Sequence, residues 1–481
     1  MTQTTRRHFL QTCSAGFAAA ALGTLPGCSQ PKSLPNLVII FTDDQGYADV
    51  GVYGAQGFET PNLDQMAQAG RRFTDFHVAS PVCSPSRAAL LTGCYPQRVG
   101  LPMVLFPDGP EWTKGKSELG LNENETTLAE LLKSKGYRTA CYGKWHLGHH
   151  EPFLPVNHGF DDYFGLPYSN DMRPEDNPAY PPLPLIQGTE VIEENPDQSL
   201  LTRRYTQKAL EFINKNADQP FFLYLAHSMP HVPLYRSDRF AGISEQGVYG
   251  DVIREIDWSV GQVLKTLKDN GLDDNTLIVF VSDNGPWTVF GNHGGSAGPL
   301  RGCKQTVFEG GQRVPCIMRW PGKIPENSVC DSFATTMDML PTMAALVNAD
   351  LPPRKIDGHD IRPLVFADAN AETPYEAFYY YDGPTLKAVR SGKWKLHVPH
   401  DYKGVKQAGM DGEKGTYFYQ KIELSLFDLE QDINEDQNVA DQHPEVVQRL
   451  LAAVEQARAD LGDHDRKGKG VRPCGHLKDY S

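Results

Sequence analysis

Asn36-Leu37-Val38-Ile39-Ile40-Phe41-Thr42-Asp43-Asp44-Gln45-Gly46 is apolar without interruption from Leu37 to Phe41 and then turns abruptly acidic. A continuous apolar run suits a strand buried on both faces, so this stretch predicts a central strand of a parallel sheet and an α/β fold. Open α/β sheets gather ligands at the C-terminal ends of their strands, and adjacent carboxylates there are hard donors for Ca2+ or Mg2+. An Asp pair is also ordinary turn chemistry. A second run weighs against that reading: Asn275-Thr276-Leu277-Ile278-Val279-Phe280-Val281-Ser282 ends in Asp283-Asn284-Gly285. If the two strands are neighbours, Asp43, Asp44 and Asp283 bring three carboxylates together, and Asn284 adds an amide oxygen. That makes a cation site.

Between these runs lies Pro81-Val82-Cys83-Ser84-Pro85-Ser86-Arg87-Ala88-Ala89-Leu90-Leu91-Thr92-Gly93. It predicts a helix capped by Ser84 with Pro85 in the first position, which puts Cys83 at the helix N-terminus and Arg87 about one turn below it. The positive end of the dipole favours a thiolate or a bound oxyanion there. A buried, inert cysteine gives the same local pattern. Further along, Glu125 to Lys135 predicts an amphipathic helix and Tyr137 to Tyr142 a strand leading into Gly143-Lys144-Trp145-His146. In extended backbone Lys144 and His146 share one side, a pairing that suits gripping an oxyanion and moving a proton. Pro220 to Ala226 predicts a buried strand ending in His227-Ser228-Met229-Pro230-His231, with helices at 200–214 and 248–267 around it. Asn177 to Pro184 reads as an irregular, proline-rich excursion. From about Glu372 the pattern changes to short antiparallel strands and a last helix, Pro444 to Leu461.

The 481 residues carry a net charge of −14, which argues against nucleic acid or an anionic membrane surface as a partner. Residues 1–28 read as an export signal: Arg6-Arg7 followed by an Ala-rich apolar run is of the twin-arginine type, and Leu25-Pro26-Gly27-Cys28 resembles a lipobox. These features imply an exported, periplasmic or envelope-anchored bacterial protein, touching membrane only through a lipid at Cys28. Cys94, Cys141, Cys303, Cys316, Cys330 and Cys474 are scattered without CxxC spacing, so no metal–thiolate site is expected.

The thirteen residues from Pro81 to Gly93 resemble the Cys-x-Pro-x-Arg signature of type I sulfatases, in which the cysteine is converted to Cα-formylglycine (3-oxoalanine). Gly136 to His146 resembles the second signature of that family. His158 to Asp171 is similar to the branch containing arylsulfatase A and N-acetylgalactosamine-6-sulfatase. The resemblance implies an alkaline-phosphatase-like mixed sheet sandwiched by helices (34–370) and a smaller C-terminal α+β subdomain (371–481). It also implies one Ca2+ bound by Asp43, Asp44, Asp283, Asn284 and the modified Cys83. Arg87, Lys144, His146, His231 and Lys304 are implied as catalytic, Ser169 and His293 as substrate contacts, and His227 as a supporting residue. Cys303 and Gln305 stand where the family usually has glycine. The implied reaction is release of sulfate from a sulfated saccharide or an aryl sulfate, after a formylglycine-generating enzyme has acted on Cys83. Two other readings fit the same residues less fully: a phosphonate or phosphodiester hydrolase of the same superfamily, and a non-catalytic carbohydrate-binding lipoprotein with an unmodified Cys83.

Overall fold

The computed structural model describes residues 34–480, so the predicted export signal and lipobox lie outside the described residues. A ten-stranded sheet forms the centre. Its strands run in the order 328–330, 71–73, 316–319, 276–282, 36–42, 221–226, 138–143, 162–165, 184–187, 190–194. The middle five are parallel and the flanks are mostly antiparallel. The two runs whose adjacency the cation site requires pair directly, from Asn36 opposite Thr276 to Thr42 opposite Ser282.

Alternation along the central strand explains why helices cover both faces. Leu37, Ile39 and Phe41 pack with Leu90, Leu128 and Leu340, carried by helices Cys83–Thr92, Leu128–Ser134 and Met339–Leu346. Val38 and Ile40 face the other way, onto Met66, Tyr205 and Ile256 of helices Pro61–Gln68, Leu201–Lys215 and Gly247–Asp269. Each such side chain contributes roughly 1.5–3 kcal/mol of burial. The helix at 128 starts on a reciprocal cap: Thr127 accepts the Glu130 N–H, and the Glu130 carboxylate accepts the Thr127 N–H.

The C-terminal part folds as an antiparallel sheet of strands 378–382, 385–391, 394–397 and 425–428, covered by helix Pro444–Asp460. Two elements differ from the sequence reading. Residues 184–187 and 190–194 form a hairpin at the sheet edge, and 400–407 with 416–422 form a two-stranded ribbon. Near the C-terminus, Gly475–His476 pairs antiparallel with Leu119–Gly120.

A largely buried set of charges joins the C-terminal sheet to segment 301–313 and Asp75. Glu309 accepts from Lys395 at 2.9 Å and from the Tyr380 hydroxyl at 3.0 Å, and Asp75 is gripped by both guanidinium nitrogens of Arg390. Glu435 accepts the Glu309 N–H at 2.7 Å, and its carbonyl accepts from Arg301 at 2.6 Å. These bonds hold segment 301–313, which carries Lys304.

Trp145 is fully buried, donates Nε1–H to the Phe153 carbonyl at 2.7 Å and stacks on His158. Neither ring nitrogen of His158 has a hydrogen-bond partner, and burial presses its imidazole down to about 4. A depressed histidine contributes stability above its unfolded value of about 6.5, and that contribution is lost as pH falls toward 4. At pH 5 the wild type should therefore lose about 2 kcal/mol through this residue relative to pH 8. His158→Phe keeps the stacked ring, and urea unfolding at the two pH values should show a correspondingly smaller difference for the variant. An unchanged difference would remove His158 as the cause.

Candidate active site

The helix carrying Cys83 begins two residues earlier than the sequence implies. It spans Cys83–Thr92 with Val82 as the cap residue and no side-chain cap. The Ser84 hydroxyl instead accepts the Leu105 N–H at 3.1 Å, across the chain. Arg87 lies a turn below Cys83 as expected, fully buried, donating to the Lys144 carbonyl at 2.9 Å and to Asp283 Oδ2 at 2.8 and 3.1 Å. The expectation of a thiolate fails: burial pushes the Cys83 thiol up, outweighing Lys144 and Lys304, which pull it down.

Asp43, Asp44, Asp283 and Asn284 converge at the ends of the paired central strands, all at most 2% exposed. The Asp44 N–H donates to Asp283 Oδ1 at 3.1 Å, and Asn284 Nδ2 donates to Asp44 Oδ1 at 2.7 Å. Asp44 sits in the left-handed region at φ 66°. Lys144 Nζ donates to Asp43 at 2.5 Å and to the Ser169 hydroxyl at 3.2 Å, which brings Ser169 into the same pocket. Lys304 Nζ lies 2.8 Å from both carboxylate oxygens of Asp44. Gly143 makes the exit to Lys144 achievable: its φ is 116°, and a Cβ there would lie 1.7 Å from the Ala226 carbonyl oxygen.

The histidines divide. His146 is not in extended backbone but left-handed, at φ 62°; its Nε2 meets the Leu105 carbonyl at 2.9 Å, and Nδ1 is buried without a partner. His231 Nε2 is 3.6 Å from Asp44, and its ring lies 5.5 Å from that of Trp287. His227 points elsewhere, to the Ser259 hydroxyl at 3.2 Å. His293 is half-buried beside Gly412 of the C-terminal ribbon turn, and no contact among the described residues joins it to the carboxylate cluster. Trp287 escaped the sequence reading. Lys304 Nζ lies 4.2 Å over its ring and its indole N–H donates to the Tyr417 hydroxyl at 3.0 Å, so it links the pocket to the ribbon. Its signal was its place three residues beyond Asn284. Gln305 is left-handed at φ 70°, which explains why glycine suits that position, and its amide oxygen takes a bond from Lys403.

Burial and mutual charge together set the protonation of this cluster. Burial, followed by repulsion from Asp43, pushes Asp283 up to about 7. Burial also raises Asp44, whereas Lys144, His231 and Arg87 together hold Asp43 far below the usual carboxylate range despite its burial. Asp44 keeps Lys304 protonated against burial, and Asp43 does the same for Lys144. Burial and then Lys304 press His231 down to about 3, and burial with Lys144 lowers His146. Asp43 Oδ1 and Asn284 Oδ1 are buried acceptors that receive no donor. Buried oxygens are rarely left so, and two of them within a cluster of three carboxylates are a donor set for a hard divalent ion.

Fold and site together define a hydrolase of anionic esters. The chain belongs to the sulfatase family: the Sulfatase family model matches residues 35–349, and the model for the C-terminal region of aryl-sulfatase matches residues 373–474. It is thus a sulfuric ester hydrolase on the alkaline-phosphatase-like fold, in a family that generally uses formylglycine and a divalent metal. It is similar to N-acetylgalactosamine-6-sulfatase of Canis lupus familiaris, at 42% identity over 79% of this chain and 74% of the relative. Arylsulfatase A of Bos taurus is 39% identical over 88% and 87%. Among solved structures, Ps i-CgsB in complex with k-i-k-neocarrahexaose superposes with a TM-score of 0.74 at 29% identity, over 88% of this chain and 92% of that one.

Proposed function

We propose that this sulfatase releases sulfate from sulfated saccharides, with formylglycine formed from Cys83 and one Ca2+ held by Asp43, Asp44, Asp283 and Asn284. The observation that carries the reading is the convergence on one pocket of Cys83, three carboxylates, the unpaired oxygens of Asp43 and Asn284, and the cations Arg87, Lys144 and Lys304. When present, the formylglycine supplies an oxygen nucleophile and the ion supplies positive charge against the sulfate oxygens.

The chain's own residues do the rest. Lys144 and Lys304 stay protonated and present N–H donors to sulfate oxygens in a water-poor pocket, where such charges act strongly. Arg87 fixes Asp283, which is in place to accept a proton near position 83. With Nε2–H given to the Leu105 carbonyl, His146 has a free lone pair on Nδ1 and acts as a base. An arriving sulfate raises the proton affinity of His231, which then serves as the acid for the departing alcohol beside Lys304. Ser169 orients Lys144.

The proteins most similar to this one include one named for N-acetylgalactosamine 6-sulfate and one solved with a neocarrahexaose, which supports a saccharide substrate. A chain of net charge −14 gains little from long-range attraction to a polyanion, so oligosaccharides or chain ends suit it better than polymer interiors. Export by the twin-arginine signal, with a lipid at Cys28, completes the reading. Sulfate release should be measured on sulfated oligosaccharides, the intact polymer, an aryl sulfate and a phosphodiester. The highest kcat/KM is expected on a sulfated oligosaccharide. A higher value on the phosphodiester would replace this reading with a phosphodiesterase, and equal rates on polymer and oligosaccharide would remove the chain-end preference.

A further inference from the structure

We propose that Asp108, His149 and His150 form a second metal site, for a borderline transition ion such as Zn2+, separate from the carboxylate centre. One donor atom from each lies within 4.8 Å of the other two. The two imidazole rings lie 4.2 Å apart, and His150 Nε2 is buried without a partner. Neither imidazole makes a hydrogen bond or ion pair among the described residues. Asp108 takes the Ser117 hydroxyl on Oδ1 only, leaving Oδ2 for a ligand. Zn–N and Zn–O bonds of about 2.0–2.2 Å place donors roughly 3–4 Å apart, close to the spacing of this group, in which the Asp108 side chain is exposed.

Donor type selects the ion. Two imidazoles and one carboxylate suit Zn2+ with water in the fourth position, whereas Ca2+ and Mg2+ take oxygen donors. A comparable set, Asp75, His77 and Glu309, is a poor cation site because its carboxylate oxygens are already taken by Arg390, Lys395 and His77. No such built-in cation faces the Asp108 group: none of its three residues enters an ion pair among the described residues.

Its place gives it a consequence. Asp108 follows Leu105, whose carbonyl holds His146, by three residues, and His149 follows His146 by the same spacing. The His149 ring also meets Tyr168, the neighbour of Ser169, edge-on at 5.7 Å. An ion here ties together the two loops that seat His146.

The test uses untagged mature enzyme saturated with Ca2+ and dialysed against Zn2+, with zinc content and thermal midpoint as readouts. One zinc per chain and a raised midpoint are expected for the wild type and for Asp283→Asn. The His149→Ala/His150→Ala pair should lose both effects. Asp108→Asn, and His150→Gln where the double variant folds poorly, should weaken zinc binding by more than the roughly 10–100-fold that outer-shell changes cost. Absence of zinc uptake by the wild type, uptake indifferent to these substitutions, or uptake lost only in Asp283→Asn would each overturn the site.

Discussion

Asp283→Asn reduces sulfate release by on the order of 10^3-fold or more while the folded protein persists. Asp283 is fully buried, takes two Arg87 bonds on one oxygen and the Asp44 N–H on the other, and is one of three carboxylates in the proposed cation site. Asparagine keeps its shape and one acceptor but removes a charge and sets an amide N–H against a donor. Stability changes little because two effects oppose each other. Arg87 loses an ionic partner, yet the repulsion that helps push Asp283 up to about 7 disappears and Asp43 still lies 3.6 Å from the guanidinium. The variant's unfolding free energy should stay within about 2 kcal/mol of wild type, and its calcium content should fall. Retained turnover would refute the assignment of the metal site, and global unfolding would make the Arg87–Asp283 pair structural instead.

Cys83→Ala has the largest expected effect. The side chain is 3% exposed at the head of its helix, with Lys144 and Lys304 acting on it, and losing the sulfur costs the fold about 1 kcal/mol. Turnover should drop to the residue left by binding and electrostatics, a loss of roughly 10^4–10^6-fold on the precedent of nucleophile deletions. Cys83→Ser is the sharper control. An unmodified serine offers one hydroxyl, so it has no second one with which to expel sulfate. A single turnover that releases the alcohol and leaves the sulfate esterified to the serine is expected from it, and steady turnover by an unmodified serine would contradict the account.

The elements readable in sequence were those whose burial pattern is continuous and local. Leu37 to Phe41 and Leu277 to Val281 are apolar on both faces, and the acidic residues that end them mark the functional edge of the sheet. What escaped depends on contacts distant in sequence. Ser84 suits a helix cap by type, but its hydroxyl is used by Leu105. Lys144 and His146 were expected to share an extended side; the left-handed turn at His146 comes from the packing of Trp145 and from the Leu105 carbonyl. The dipole argument for a Cys83 thiolate considered the helix alone and lacked the desolvation that dominates. The ribbon 400–407/416–422 is largely exposed on both faces, so no apolar-polar alternation announces it, and with it went the link through Tyr417 to Trp287.

The central claim is that this pocket works through a modified residue 83. The direct measurement is the mass of the peptide containing residue 83, taken from active protein made in its native host. The account predicts a mass consistent with an aldehyde or its hydrate in place of the thiol. An intact cysteine thiol at position 83, in protein that releases sulfate, would contradict it.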